Sequence, residues 1–294
     1  MTNLKEYIKE KRPTLSDSSL TTYTSILKNL YKKVFNSDDI DIKKFDETDK
    51  ILNHLKTMTP NKRKTILSSL VIITDKKAYR DLMLEDIKDY NKDIETQTKS
   101  ESQKENWIET NQIKEVWELL KNDADLIYKK KTLKPQDLQQ IQNFVIVSLL
   151  GGIFIPPRRS KDFVDFKIKE GINKEKDNFF EKNKLIYNSY KTSKTYGQQS
   201  VEIPRQLSQI LKKWISVNPT NYLLFDTNFN PLSSVKLNQR LNKIFDERKI
   251  SVNILRHSFL TDKYKKHIEE QKKMDHDMEE MGSSNKQATL YVKN

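Results

Sequence analysis

The sequence predicts a mostly α chain with a small β insertion, an α+β protein of two domains. Three observations carry that expectation. Apolar residues recur at helical spacing through most of the 294 residues. Only two short stretches, Leu185 to Tyr190 and Ser200 to Ile203, look like strands, joined by a polar turn containing Gly197. Residues 93–106 contain a single apolar side chain, Ile94, the composition of a solvated linker. The expected units are a helical domain over 1–92, a linker over 93–107 and a second domain over 108–294.

Ser18 or Ser19 can cap a first long helix whose stripe is Leu20, Tyr23, Leu27, Leu30, Tyr31 and Val34. A helix starting after Pro60 should bury Ile66, Leu67, Leu70, Val71 and Ile73, and its first turns display Lys62, Arg63 and Lys64. A third, about 77–90, should turn Leu82, Met83, Leu84 and Ile87 inward. Beyond the linker, Asn111 can cap a helix carrying Ile113, Val116, Trp117 and Leu120. Pro135 suits the first turn of the next helix, which should stop at Gly151-Gly152 and Pro156-Pro157. Helices are expected again at about 205–216, 233–247 and 252–266, and the charged stretch 266–280 reads as helix or mobile segment.

Composition narrows the function. Lys and Arg number 54 against 41 Asp and Glu, a net charge of +13, which favours a polyanion such as nucleic acid. With no cysteine there is no disulfide and no thiolate zinc site, and no metal site is expected elsewhere. Five glycines form no phosphate-cradling loop, which argues against nucleotide-driven chemistry and any cofactor. The polar N-terminus and interrupted apolar runs lead to the expectation of a soluble, non-secreted protein acting in a cytoplasm, nucleus or viral factory.

Four places could carry chemistry. In Pro156-Pro157-Arg158-Arg159-Ser160-Lys161-Asp162-Phe163, arginines follow a rigid helix stop; they either dangle in water or fork donors onto a phosphate. In Tyr190-Lys191-Thr192-Ser193-Lys194-Thr195-Tyr196-Gly197, turn lysines either solubilise or donate a proton to a leaving oxygen. In Asn253-Ile254-Leu255-Arg256-His257-Ser258-Phe259, packing of Ile254, Leu255, Phe259 and Leu260 would fix where Arg256 points. In Met281-Gly282-Ser283, followed by Leu290-Tyr291-Val292, a tyrosine lies near the C-terminus.

The order of these four places resembles the catalytic domain of the tyrosine recombinase (phage-type integrase) family. That family's first box reads roughly Arg-x-x-Glu-hydrophobic, and Arg159 with Asp162-Phe163 fits it better than Arg158 does. Its second, His-x-x-Arg-His, is matched by Asn253 through His257 with one substitution. Its third, Leu-Gly-His followed by Tyr, is matched by Met281-Gly282-Ser283 and Tyr291 with another. The family's hairpin lysine falls on Lys194 or Lys191, and the distance to Pro204 favours Lys194. The helical first domain resembles the family's core-binding domain, and the lysine-rich boxes resemble integrase sequences of large DNA viruses and their mobile elements.

The resemblance implies site-specific cutting and rejoining of double-stranded DNA through a 3′-phosphotyrosyl intermediate, with no ATP or metal, by a tetramer on two duplexes that is monomeric off DNA. Tyr291 is then the nucleophile, Arg159 and Arg256 neutralise the transition state, and Lys194 or Lys191 is the general acid. Placed donors of this kind are worth roughly 3–4 kcal/mol each. His257 points about 100° away from Arg256 on a helix and reads as packing or supporting the site. Arg158, Lys62, Arg63, Lys64, Asn253 and Ser283 are expected to meet DNA. A DNA-binding descendant without catalysis and a type IB topoisomerase share enough of this pattern to remain rivals.

Overall fold

The computed structural model describes residues 3–284 and Gln287. The chain divides into two compact units, Met1–Lys99 and Ser100–Asn294.

The first unit is helical: α1 (Leu4–Lys11), α2 (Asp17–Phe35), α3 (Thr48–Leu55), α4 (Pro60–Thr74) and α5 (Lys77–Glu95). Its core holds Ile8, Leu27, Tyr31, Phe45, Ile51, Leu67, Leu70 and Tyr79, and the Tyr79 hydroxyl donates to the Phe45 carbonyl at 2.8 Å. Ser16, not Ser18 or Ser19, caps α2, because its hydroxyl reaches the Ser19 amide three residues on. Leu84 is exposed rather than inward; the buried position beside it belongs to Asp86.

The segment expected as a linker contains the end of α5 and a short helix, α6 (Glu101–Glu105), closed by a capping box between Ser100 and Gln103. A polar composition suits a solvated helix as well as a linker.

The second unit is built on α7 (Thr110–Ile127) and α8 (Pro135–Leu150). Glu109 precedes α7 where Asn111 was expected as the cap. Almost every side chain of α8 from Ile141 to Leu150 is buried, so helices or sheet cover it on all sides. Then come β1 (Phe179–Glu181), β2 (Lys184–Tyr187), α9 (Ser193–Tyr196) and β3 (Gln199–Glu202), the strands pairing antiparallel in the order β1-β2-β3. β1 was not foreseen; it turns into β2 through Lys182 and Asn183, both at positive φ. α10 (Arg205–Val217), α11 (Ser234–Ile244) and α12 (Val252–Glu280) complete the unit. The result is the expected mostly α architecture with a small β insertion. No helix among the described residues is long and apolar enough to cross a membrane.

Candidate active site

The arginine corner follows directly from how α8 ends. Gly151 caps the helix, and Gly152 takes a left-handed φ of +74°. A Cβ on Gly152 would stand 2.6 Å from Cδ2 of Phe259. Only glycine lets the ring of Phe259 lie against this turn. Phe259 is on α12, three residues past Arg256, so the turn that delivers Arg158 and Arg159 is also a seat for the helix that delivers Arg256. The start of α12 is further fixed by the Ser251 hydroxyl, which accepts from the Ile254 amide at 3.3 Å, and by Asn238, which accepts from the Val252 amide at 3.1 Å.

Arg158 is fully engaged. Its Nε donates to Asp162 Oδ2 at 2.8 Å and one terminal nitrogen to Gln199 Oε1 at 2.9 Å. Its guanidinium lies 3.9 Å from the ring centre of Tyr187. Tyr187 and Gln199 are register partners across β2 and β3, so Arg158 reads the sheet at one rung. Burial raises the Tyr187 phenol's pKa, with Arg158 opposing. Arg158 was expected to meet DNA; instead the structure uses it as a brace.

Arg159 is exposed and forms no ion pair among the described residues. Arg256 is half-buried. Burial first, and then the like charge of Arg159, hold its pKa below the ordinary arginine value; Asp162 opposes this and Arg158 adds to it. The guanidinium nevertheless stays charged. The fold therefore brings Arg159 and Arg256, from distant parts of the sequence, within reach of each other's charge, with Arg158 and the Asp162 carboxylate beside them. Asp162 is buried, and its second oxygen, Oδ1, has no hydrogen-bond partner among the described residues. Three guanidinium groups and one carboxylate among the described residues thus act on this corner.

Lys191 and Lys194 are both exposed in the connection between β2 and β3, with Lys194 on α9. Asn178, which sequence reasoning missed, ties this connection to the corner. Its amide nitrogen donates to the Asp162 carbonyl at 2.9 Å, and its oxygen accepts from the Asn188 and Ser189 amides, each at 2.8 Å. The Tyr190 hydroxyl closes the connection on the Gly197 carbonyl at 2.7 Å. An open groove of about 530 Å³ runs past Lys161, Lys191, Tyr190 and Ser233; Lys194 does not line it. An Asn in a polar stretch carries no sequence signal for such a role.

Other expectations need correction. His257 is exposed, not packed; Ser258 takes the buried position, and Leu260 is also exposed. Asn253 is exposed on the first turn of α12, on the same face as Arg256. Ser283 lies beyond the other end of α12, so the structure does not bring it to Arg256; its amide donates to the Met278 carbonyl at 2.8 Å where Gly282 ends the helix. Tyr291 lies outside the described residues. In the first unit Lys62 is exposed, but Arg63 is clasped by buried Asp86, with Nε to Oδ2 at 2.9 Å, and Lys64 sits over the Tyr90 ring. A pairing partner on the next helix is what withdraws Arg63 from the surface.

No family model and no curated protein matches the chain. Solved structures similar to it include these two. A crystal structure of XerA recombinase shares 12% identity, with a TM-score of 0.36, over 88% of this chain and 81% of that one. A lambda integrase dimer bound to a COC′ core site shares 14% identity, with a TM-score of 0.44, over 90% of this chain and 69% of that one.

Proposed function

We propose that this chain is a tyrosine recombinase that cuts and rejoins double-stranded DNA. The observation that supports the reading is that Arg159 and Arg256 lie near enough to act on each other's charge, with the Asp162 carboxylate beside them. Such a pair is built for the non-bridging oxygens of a phosphodiester, whose charge grows in the pentacovalent transition state.

In the proposed reaction Tyr291 Oη attacks the phosphorus and the bond to the 5′-oxygen breaks. The leaving oxygen takes a proton from a lysine of the β2–β3 connection. Lys194 and Lys191 are the two candidates, both exposed. Exposed His257 is available to receive the phenol proton. A 5′-hydroxyl of another strand reverses the step, so the bond energy is conserved. Arg158 and Asp162 hold the corner, and the exposed lysines of the first unit, Lys62 among them, add phosphate contacts. Asn253 would meet DNA beside Arg256.

The test is a covalent trap. Purified protein is mixed with labelled DNA from its own source, denatured in detergent and examined for protein-linked DNA, with Tyr291→Phe alongside. The expected result is an adduct that the variant loses while keeping salt-sensitive binding. An adduct in Tyr291→Phe refutes the nucleophile. Binding without any adduct from the native chain would point to a non-catalytic descendant.

A further inference from the structure

The last rung between β2 and β3 joins Tyr187 to Gln199. Beyond it no strand pairing holds residues 188–198, the stretch that carries Lys191 and Lys194. A connection without a ladder of its own is ordinarily mobile. Here one side chain pins it. Asn178 is 3% exposed and directly precedes β1. Its Nδ2 donates to the carbonyls of Asp162 and Ser189 at 2.9 and 2.8 Å, and its Oδ1 accepts from the amides of Asn188 and Ser189 at 2.8 Å each. A carboxamide offers two donors and two acceptor positions, and all of them are spent on backbone groups. None of these partners belongs to the ladder, so the pairing of the strands does not call for Asn178.

These bonds make a route from the arginine corner to the lysines. The Asp162 amide donates to the Arg159 carbonyl at 3.0 Å, and the Asp162 carbonyl in turn receives Asn178. From Asn178 the route passes to Ser189, just ahead of both lysines. Asn188 extends the hold to the far end of the connection. Its Nδ2 donates to the carbonyls of Lys174 and Asp177 at 3.0 and 2.7 Å, and its Oδ1 accepts from Gln198 Nε2 at 2.8 Å. Entry and exit of the lysine-bearing stretch are thereby tied to the turn that carries Arg159. Lys191 and Lys194 themselves are exposed and form no ion pair among the described residues. Their side chains can reach outward from a backbone that is held.

We infer that Asn178 is a positioning residue: it sets the proton-donating lysine of the β2–β3 connection at a fixed distance from Arg159, so that donor and cation meet one phosphate. The inference rests on the general-acid step proposed above. In that step the bond from phosphorus to the 5′-oxygen breaks while a proton passes from a lysine Nζ to that oxygen. The donor must stand within hydrogen-bond reach of the oxygen it protonates, and a displacement of about 1 Å costs on the order of 10²-fold in rate. The position is particular to asparagine. An ionised aspartate has no donor for the Asp162 and Ser189 carbonyls, a serine has one donor only, and glutamine is a methylene too long for the same four partners.

Exchanging the leaving atom tests it. DNA carrying sulfur in place of the bridging 5′-oxygen, at the site where the native chain forms its adduct, expels a thiolate. A thiol has a pKa of about 8.5, so this group leaves without being protonated. On ordinary DNA at saturation, Asn178→Ala should form adduct on the order of 10²-fold more slowly than the native chain. On the sulfur DNA the two should agree within a few-fold. Arg256→Ala, whose loss the sulfur does not bypass, should be slow on both. Asn188→Ala, at a half-buried side chain, should show the same rescue from a smaller loss, and it carries the test if Asn178→Ala does not fold. Equal loss on both substrates, or no loss on ordinary DNA, overturns the inference and leaves the recombinase reading standing. A native chain that forms no adduct removes that reading and the inference with it. Hydrogen exchange without DNA reads the tie itself. In Asn178→Ala the Asn188 and Ser189 amides should exchange faster than in the native chain while the amides of the β1–β2 ladder keep their protection, and unchanged exchange at Asn188 and Ser189 would also overturn the inference.

Discussion

Gly152→Ala tests how the arginine site is assembled. The added methyl would lie 2.6 Å from Cδ2 and 3.3 Å from Cβ of Phe259, on a backbone held at φ +74°. An L-residue in the left-handed region costs about 1–2 kcal/mol. Forcing a methylene-sized group into a filled contact costs typically 1–3 kcal/mol. The expected loss of stability is therefore about 2–5 kcal/mol, read as a shift of the urea midpoint at unchanged slope. Relief requires the ring to retreat by roughly 1 Å to ordinary van der Waals distance, by turning about its own torsions or by carrying the first turns of α12 with it; the prediction concerns the second. A misplacement of that size at a catalytic group costs on the order of 10²-fold in rate. Adduct formation should therefore fall more than folding does at temperatures where the variant is still native. Adding Phe259→Leu to Gly152→Ala removes the overlap but not the backbone strain, and should recover much of the activity with only part of the stability. A Gly152→Ala protein as stable as the native one, or a double variant no more active than the single, would refute this account of the joint.

Arg158→Ala should destabilise the second unit by about 3–5 kcal/mol in urea, because it leaves buried Asp162 with neither oxygen ion-paired; Arg158→Lys should recover only part, having lost the fork to Gln199. In the first unit, Arg63→Ala should cost a similar amount, about 3–5 kcal/mol, by stranding Asp86, whereas Lys62→Ala should leave stability alone and lower the salt dependence of DNA binding. The hydrogen bond from Lys236 holds the Asp226 carboxyl below the usual carboxylate range. Its folded pKa is depressed, so its contribution is present above the unfolded value and lost as pH falls through the folded one. Acid unfolding of Asp226→Asn should show a flatter pH dependence than the native chain in that window; identical curves would remove Asp226 from the account.

The parts legible in the sequence were those written in local chemistry. Pro60 and Pro135 open helices and Gly151 ends one, as their backbone constraints dictate. β1 was hidden because its turn is Lys182-Asn183, not an Asn-Gly pair, and its strand is only Phe179–Glu181. The pairing of Arg63 with Asp86 was invisible because both residues read as surface charges on separate helices and only packing of α4 on α5 joins them. The nearness of Arg159 to Arg256 came from the order of the boxes in a family, never from spacing. The preference for Arg159 over Arg158 rested on the frame of Asp162; the grip of Gln199 and Tyr187 on Arg158 belongs to the sheet and leaves no trace in the sequence. Asn178 gave no sign at all, since a hub made of backbone partners leaves no pattern in the residues around it.

The length of α12 also acts as a ruler. Arg256 stands near one end and Gly282 at the other, about 39 Å away at the helical rise. That separation is several Debye lengths at physiological salt, about 8 Å each. Charges around Gly282 are therefore screened from Arg256, and the two ends of the helix can carry different electrostatic environments without either setting the other.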